Sequence, residues 1–248
     1  MSSKVIVITG GSSGIGAALG ERLASRGDHV VLVARRKAAL EEIAARCDGR
    51  AIVQVADVTD RAQVRRVVGE TVATLGRIDV WVNNAGQGIT RNPSELTDGD
   101  LDAVMRANVY SALYGVQEVL PHFKQRGEGH VINISSLLGR VPFATIRSAY
   151  SGAKHFLNAL TAMLRAEVQA THPGIQISLV SPGVVRTDFG VNALHGGPDS
   201  RSFPESQSAE EVAAVIATVI ETRQPDVYTR PAAAMIAKYY AGVGVDPA

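Results

Sequence analysis

Apolar runs of strand length alternate with longer segments of helical period along most of this chain, and few architectures accommodate that order. KVIVITG (4–10) is followed by a helical pattern from Ile15 to Arg26 that puts Ile15, Leu19, Leu23 and Ala24 on one face. HVVLVA (29–34) precedes a helix from about Lys37 to Arg46, and AIVQVA (51–56) precedes one near 61–74. DVWVN (79–83) leads to a helix near 98–124, HVINIS (130–135) to one near 149–170, and IQISLVS (175–181) follows. Strands rich in Val and Ile with little polar alternation suit a parallel sheet buried on both faces. Repeated strand–helix units require right-handed crossovers, which predicts an α/β fold with a doubly wound parallel sheet. Gly27-Asp28, Cys47-Asp48-Gly49, Gly127-Glu128-Gly129 and Pro173-Gly174 punctuate the junctions. No low-complexity linker interrupts the pattern, so one domain is expected over 1–248.

A chain of 248 residues, 46% hydrophobic and 20% charged, can bury a core without metal or disulfide. Cys47 is the only cysteine, so an internal disulfide is excluded, and without a basic or histidine partner in sequence it reads as inert. With 25 Lys+Arg against 24 Asp+Glu the formal charge is +1, which gives no global field for nucleic acid. The apolar runs VIVI (5–8), VVLVA (30–34) and VAAVIA (212–217) fall far short of the roughly 20 residues of a membrane span. The first of them is also too short for a secretory signal. A soluble, cytoplasmic protein without a transmembrane segment is expected. Histidines 29, 122, 130, 155, 172 and 195 lack metal-ligand spacing, so no metal site is predicted, and His195 is not expected to touch substrate.

The final third departs from the alternation. Residues 188–208 are polar and rich in Gly, Pro and Ser, with Phe189, Val191, Leu194 and Phe203 interspersed. Loops of that length in compact domains are usually functional, and these apolar residues suit a lid over a ligand; a surface excursion without a role is the plainer reading. Ser208, with Glu211 three residues on, predicts a capped helix over 208–221, and PDVYTR (225–230) a last short strand. AAAMIAKYY suits a terminal helix, a cover for the substrate site or a membrane-surface contact.

The strand KVIVI runs into TGGSSGIG at 9–16. Gly10, Gly14 and Gly16 fall at a strand-to-helix junction, where backbone N–H groups at the helix N-terminus attract phosphate. A Cβ there would obstruct the turn and the approach of backbone to a pyrophosphate. With the strand before and the helix after, this is the dinucleotide context of a Rossmann-type sheet, and Ser12, Ser13 and Ile15 join the candidate contacts. No Lys-Ser/Thr follows the last glycine, so a phosphate-loop nucleotidase is excluded. A carboxylate about 20 residues on would bind a free ribose 2′-hydroxyl. Ala34 stands there instead, with Arg35, Arg36 and Lys37 just beyond, which favours NADP(H) over NAD(H). The alternative is that these cations are only a solvated helix start.

Tyr150 and Lys154 lie four apart in AYSGAK and share a helix face. A free phenol has a pKa of about 10, and a nearby ammonium favours its phenolate. So placed, Tyr150 exchanges a proton with a carbonyl or alcohol oxygen. Alone, such a pair is more often surface decoration.

TGGSSGIG, NNAG (83–86), Asn108 in RANV, ISS (134–136), YSGAK (150–154) and PGVVRT (182–187) occur in one order. In this the chain resembles the short-chain dehydrogenase/reductase family over about residues 4–190. The resemblance implies that Ser136 bonds the substrate oxygen and Tyr150 is the proton donor or acceptor. It implies that Lys154 holds the nicotinamide ribose and lowers the Tyr150 pKa, and that Asn108 sits at a helix irregularity ordering a water toward Lys154. It further places Asn84, Ala85 and Gly86 under the cofactor, Asp57 and Val58 beside the adenine, and Thr187 near the carboxamide. Ser136 lies 14 residues before Tyr150 where the family more often has 13, which reads as one extra loop residue; Ser135 is the alternative. Asp57 as a turn cap and Asn108 as an ordinary helix amide are the plainer readings.

The resulting expectation is an NADP(H)-dependent oxidoreductase reducing an apolar ketone or aldehyde, or oxidising the alcohol. Its rival is a cofactor-loaded sensory protein without significant turnover. Gln87, Leu138, Phe143, Ile146, Val185 and Phe189 are the expected substrate wall, while Arg147 either recognises an anion or faces water. Arg61, Arg65 and Arg66 read as a solvated face, and Met163 and Leu164 as contacts to core or partner subunit. The family commonly pairs the helices of Asn108 and Tyr150 across a dimer, so a homodimer or homotetramer is expected. Substrate, stereochemistry, reaction direction, the choice between dimer and tetramer, and the role of 225–248 are left open by the residues.

Overall fold

A computed structural model describes residues 3–244. Its seven strands are β1 (Val5–Thr9), β2 (His29–Ala34), β3 (Ala51–Val55), β4 (Val80–Asn83), β5 (Gly129–Ile134), β6 (Ile175–Ser181) and β7 (Asp226–Tyr228). They form one parallel sheet in the order β3-β2-β1-β4-β5-β6-β7. The α-helices are α1 (Gly14–Ser25), α2 (Lys37–Ala44), α3 (Arg61–Leu75) and α4 (Asp98–Met105), then α5 (Ser111–Arg126), α6 (Ser148–Thr171), α7 (Ala209–Thr222) and α8 (Ala233–Gly242). From β1 the chain builds outward through β2 and β3, then returns to place β4 on the other side of β1. That reversal opens a crevice at the C-terminal ends of β1 and β4, where sheets of this kind bind ligands.

Successive side chains of a strand point to opposite faces, and here both faces are covered. Ile6, Ile8, Val30 and Leu32 pack with Leu19 and Leu23 of α1, Leu40 of α2, and Val212 and Ile216 of α7. Val7, Val31, Trp81 and Val131 face the other side, against Val64 and Val67 of α3, Val116 and Phe123 of α5, and Val168 of α6. The doubly wound parallel sheet expected from the strand composition is what the chain forms. Among the described residues no helix is long and apolar enough to cross a membrane.

Cap chemistry sets the helix starts. Ser208 and Glu211 form the anticipated capping box at α7, and Thr97 with Asp100 forms another at α4. Asp60, not Asp57, caps α3, accepting from the Ala62 and Gln63 amides. Asp57 instead accepts from the Thr59 amide and hydroxyl, an Asx turn that ends β3.

The single helix anticipated near 98–124 is broken into α4, a π-helical turn at Arg106–Tyr110, and α5. The cause is Asn108: its side-chain amide donates to the Val104 carbonyl at 2.9 Å, the acceptor its own backbone would otherwise use. Beyond this turn the Ser111 amide reaches back to Arg106. Arg61, Arg65 and Arg66 form the exposed face expected of α3, and from it Arg61 and Arg65 converge on Glu118 of α5 at 2.6 and 2.9 Å. Leu164 packs on the core, whereas Met163 is 66% exposed. Cys47 is buried, and burial pushes its thiol up. The final segment does form a helix, α8, whose Tyr240 hydroxyl donates to the Arg140 carbonyl at 2.7 Å.

Candidate active site

The glycine turn leaves β1 tightly braced. Thr9 Oγ1 accepts from the Asn84 and Ala85 amides at 3.0 and 3.1 Å, and Asn84 Nδ2 donates to the Thr9 carbonyl at 3.0 Å. NNAG is thereby fixed beside the turn. Gly16 is required sterically, because a Cβ there would lie 2.3 Å from the Gly10 carbonyl oxygen. Gly10 has φ +69° and Gly14 φ +54°, the region that favours glycine. The Thr187 methyl abuts Gly14, bringing the segment after β6 to the turn. Ser13, the N-cap of α1, makes no side-chain cap bond, so the first amides of Gly14, Ile15 and Gly16 remain open toward the crevice. Open amides and a cradle that side chains would fill suit a dinucleotide pyrophosphate.

At the end of β2 no carboxylate stands in the ribose position. Arg35 is exposed, while Arg36 folds toward the turn and donates to Ser12 Oγ at 3.3 Å. Arg36 therefore belongs with the cofactor candidates; its place just past a strand lacking an acidic terminus was the available signal. Val58 packs against the core beside the Asp57 turn.

Four chain segments meet at the next end of the crevice. The Asn108 side chain, positioned by the π-helical turn, donates to the Gln87 carbonyl at 2.8 Å and accepts from the Gln87 amide at 3.3 Å. A Cβ on Gly86 would lie 2.8 Å from Asn108 Oδ1 and 3.6 Å from Lys154 Nζ, so Gly86 leaves room for both groups. Lys154 is buried and donates to the Ile134 carbonyl at 2.9 Å, with Nζ 5.6 Å from the Tyr150 ring centroid. The two serines separate cleanly. Ser135 donates to Asn158, which in turn donates to the Gly139 carbonyl, whereas Ser136 lies beside the Tyr150 phenol.

The electrostatics depart from the expected acid phenol. Burial pushes Tyr150 up to about 12, with the Ser136 hydroxyl and the Arg147 guanidinium pulling the other way. Burial also draws Lys154 down to about 7. Desolvation disfavours both charged forms, so the amine is a weak acidifier of the phenol here.

The residues expected to form a substrate wall are placed differently from one another. Phe189 packs against Tyr150, and Leu138 against the cluster that contains it. Phe143 is 52% exposed, and Val185 is engaged in a backbone bridge to Gln207 while packing on the core. Arg147 is half-buried, and Nη1 donates to the Ile89 carbonyl at 3.0 Å. Within 188–208, Leu194 pairs with Ile89, its amide donating to the Gly88 carbonyl and its carbonyl accepting from the Thr90 amide, both at 2.9 Å. His195 bonds Asp100.

Residues 4–196 match the family model for short chain dehydrogenase. A dehydrogenase/reductase SDR family protein 7-like of Drosophila melanogaster is 32% identical over 254 residues, covering 96% of this chain and 76% of that protein. A short-chain dehydrogenase from Sphingobium yanoikuyae, solved in complex with NADPH, superposes with a TM-score of 0.82 at 30% identity, covering 97% of this chain and 94% of that one. One from Burkholderia phymatum, solved with NAD, has the same fold, with a TM-score of 0.88 at 24% identity over 100% of this chain and 97% of the other.

Proposed function

Because the chain belongs to the short-chain dehydrogenase/reductase family of oxidoreductases, we propose that it moves a hydride between NADP(H) and an apolar carbonyl or secondary alcohol carbon. The observation that carries this reading is the meeting of Ser136, Tyr150, Lys154 and Asn108 beside the glycine turn at the C-terminal end of the sheet. A bound dinucleotide would supply the hydride to a carbonyl carbon or, when oxidised, accept one from an alcohol carbon.

Ser136 donates to the substrate oxygen and holds its carbon in line for transfer. Tyr150 gives a proton to the developing alkoxide or takes one from the alcohol. Lys154, which donates to the Ile134 carbonyl, would hold the nicotinamide ribose hydroxyls with its remaining donors, and Asn108 holds the Gln87 backbone. The glycine turn and the open amides of α1 would hold the pyrophosphate, with Asn84, Ala85, Gly86 and Thr187 as further residues that would hold the cofactor. Arg36 and Arg35 favour the 2′-phosphate, supported by the missing carboxylate at Ala34 and the Arg36 contact to Ser12.

Phe189, Leu138 and Ile146 form an apolar wall, and residues 188–208 act as a lid on this one domain. Tyr110, Phe156 and Met163 are exposed on the π turn and α6, which supports a homodimer through those elements. The test is NADPH oxidation against a panel of apolar ketones and aldehydes, with Tyr150→Phe as control. The variant should bind NADPH normally and lose about a hundredfold or more in kcat. Undiminished turnover in Tyr150→Phe would remove the proposed chemistry.

A further inference from the structure

Ser136 comes from the loop after β5, whereas Tyr150 and Lys154 come from α6, so their mutual placement depends on what joins that loop to the helix. Ser151, Lys154 and Asn158 follow one another at helical spacing along α6, on one buried face. Each donates to a backbone carbonyl of the segment around Ser136. Lys154 Nζ reaches Ile134 at 2.9 Å, Ser151 Oγ reaches Leu138 at 2.6 Å and Asn158 Nδ2 reaches Gly139 at 2.7 Å. Asn158 Oδ1 also accepts from the Ser135 hydroxyl, so one amide grips the chain on both sides of Ser136. The packing is close as well: a Cβ on Gly139 would lie 3.0 Å from both Asn158 Nδ2 and the Lys154 carbonyl carbon.

These bonds bear on the serine itself. Leu137–Gly139 form a single turn of 3-10 type, and Ser136 Oγ caps it by accepting from the Leu138 amide at 3.1 Å. A hydroxyl has one hydrogen to give and two lone pairs. The Leu138 amide takes one lone pair, so the placement of the turn constrains where the hydrogen can point. Satisfying buried carbonyls is the plainer use of such donors. Leu164 and Val168 already fasten α6 to the sheet, however, and what the polar face adds is a fixed register between helix and loop.

We propose that Asn158 and Ser151 are positioning residues of the reaction, holding Ser136 in register with Tyr150 so that the serine hydroxyl meets the substrate oxygen. The inference rests on the role given to Ser136 above. Both side chains act through the 135–139 segment and not on the substrate.

The test is a pair of double-mutant cycles against Ser136→Ala, using the most rapidly reduced aldehyde of the panel above. Ser151→Ala and Asn158→Ala should each lower kcat about tenfold with the Kd for NADPH unchanged, as a small misplacement of a reacting group does. In the Ser136→Ala background the same changes should lower kcat by less than about twofold, because the serine they position is gone. Losses of equal size in both backgrounds, or a parental kcat in Ser151→Ala, overturn the proposal. A fall in NADPH affinity that matches the fall in kcat also overturns it, being the mark of a loosened fold. Should Asn158→Ala fail to fold, the Ser151 cycle decides by itself. Amide hydrogen exchange reads the same point without turnover: the Leu138 amide should exchange several-fold faster in Ser151→Ala than in the parent protein, and an unchanged rate overturns the proposal. Undiminished turnover in Ser136→Ala overturns the role of the serine in the reaction above. That failure is distinct from equal losses in both backgrounds, which remove the present inference alone.

Discussion

His195 Nε2 lies 2.7 Å from Asp100 Oδ1, joining the loop after β6 to the first turn of α4 across 95 residues of sequence. Arg91 meets the other Asp100 oxygen at 3.0 Å, and the Thr97 amide donates to that same oxygen at 3.1 Å. Removing the imidazole leaves the α4 capping box intact but frees one end of the 188–197 segment. His195→Ala should raise amide hydrogen exchange in 188–197 several-fold, with little change in α4. Unchanged protection would show that the Leu194 backbone pairing holds the segment by itself. The pH dependence follows from Asp100. The bonds from His195, Thr97 and Arg91 hold its carboxyl well below the usual range. Its contribution is therefore present above the ordinary carboxylate pKa of about 4 and is lost progressively as pH falls from there through the depressed folded value.

The cofactor turn offers a steric test. In Gly16→Ala the new methyl would sit 2.3 Å from the Gly10 carbonyl oxygen, an atom of braced backbone that cannot rotate away. Overpacking of this kind costs about 1–3 kcal/mol. Chemical denaturation should show that loss, and fluorescence titration should show NADPH affinity falling with it. Retained stability together with retained affinity would contradict the role given to the turn.

Cofactor choice is tested at the end of β2. Replacing Arg35 and Arg36 by alanine together should lower the ratio of NADPH to NADH affinity by about tenfold or more, as loss of charge-assisted bonds to a phosphate implies. Arg36→Ala should carry the larger share, since Arg36 already folds onto Ser12. A constant ratio would place the discrimination elsewhere.

His130 predicts an acid limb of stability. Burial first, then the charges of Arg223 and Lys4, push it down to about 3. Its unfolded value is about 6.5, so below that pH the unfolded chain takes up the proton and the folded chain does not. Stability fully present above pH 6.5 is thus lost progressively toward pH 3, by a few kcal/mol in all. Urea midpoints measured from about pH 7 to pH 4 should fall less steeply in His130→Gln than in the parent protein. Parallel slopes would mean that other groups govern acid unfolding.

The strands, the glycine turn, the Ser208 cap and the separation of Tyr150 from Lys154 were all legible in the order of residues. Each depends on short-range physics: side-chain periodicity, backbone freedom at glycine, and a hydroxyl reaching an amide three residues on. Tertiary structure decided what depends on distant neighbours. Asn158 engages Ser135 and leaves Ser136 beside the phenol, while Asn108 diverts the Val104 carbonyl and breaks a helix that periodicity alone would have continued. Gly88 and Gly197 make the space that turns Arg147 inward. Most of all, the protonation of Tyr150 was not written in its spacing from Lys154, because burial acts against both charged forms and only the folded chain sets how much water each group loses.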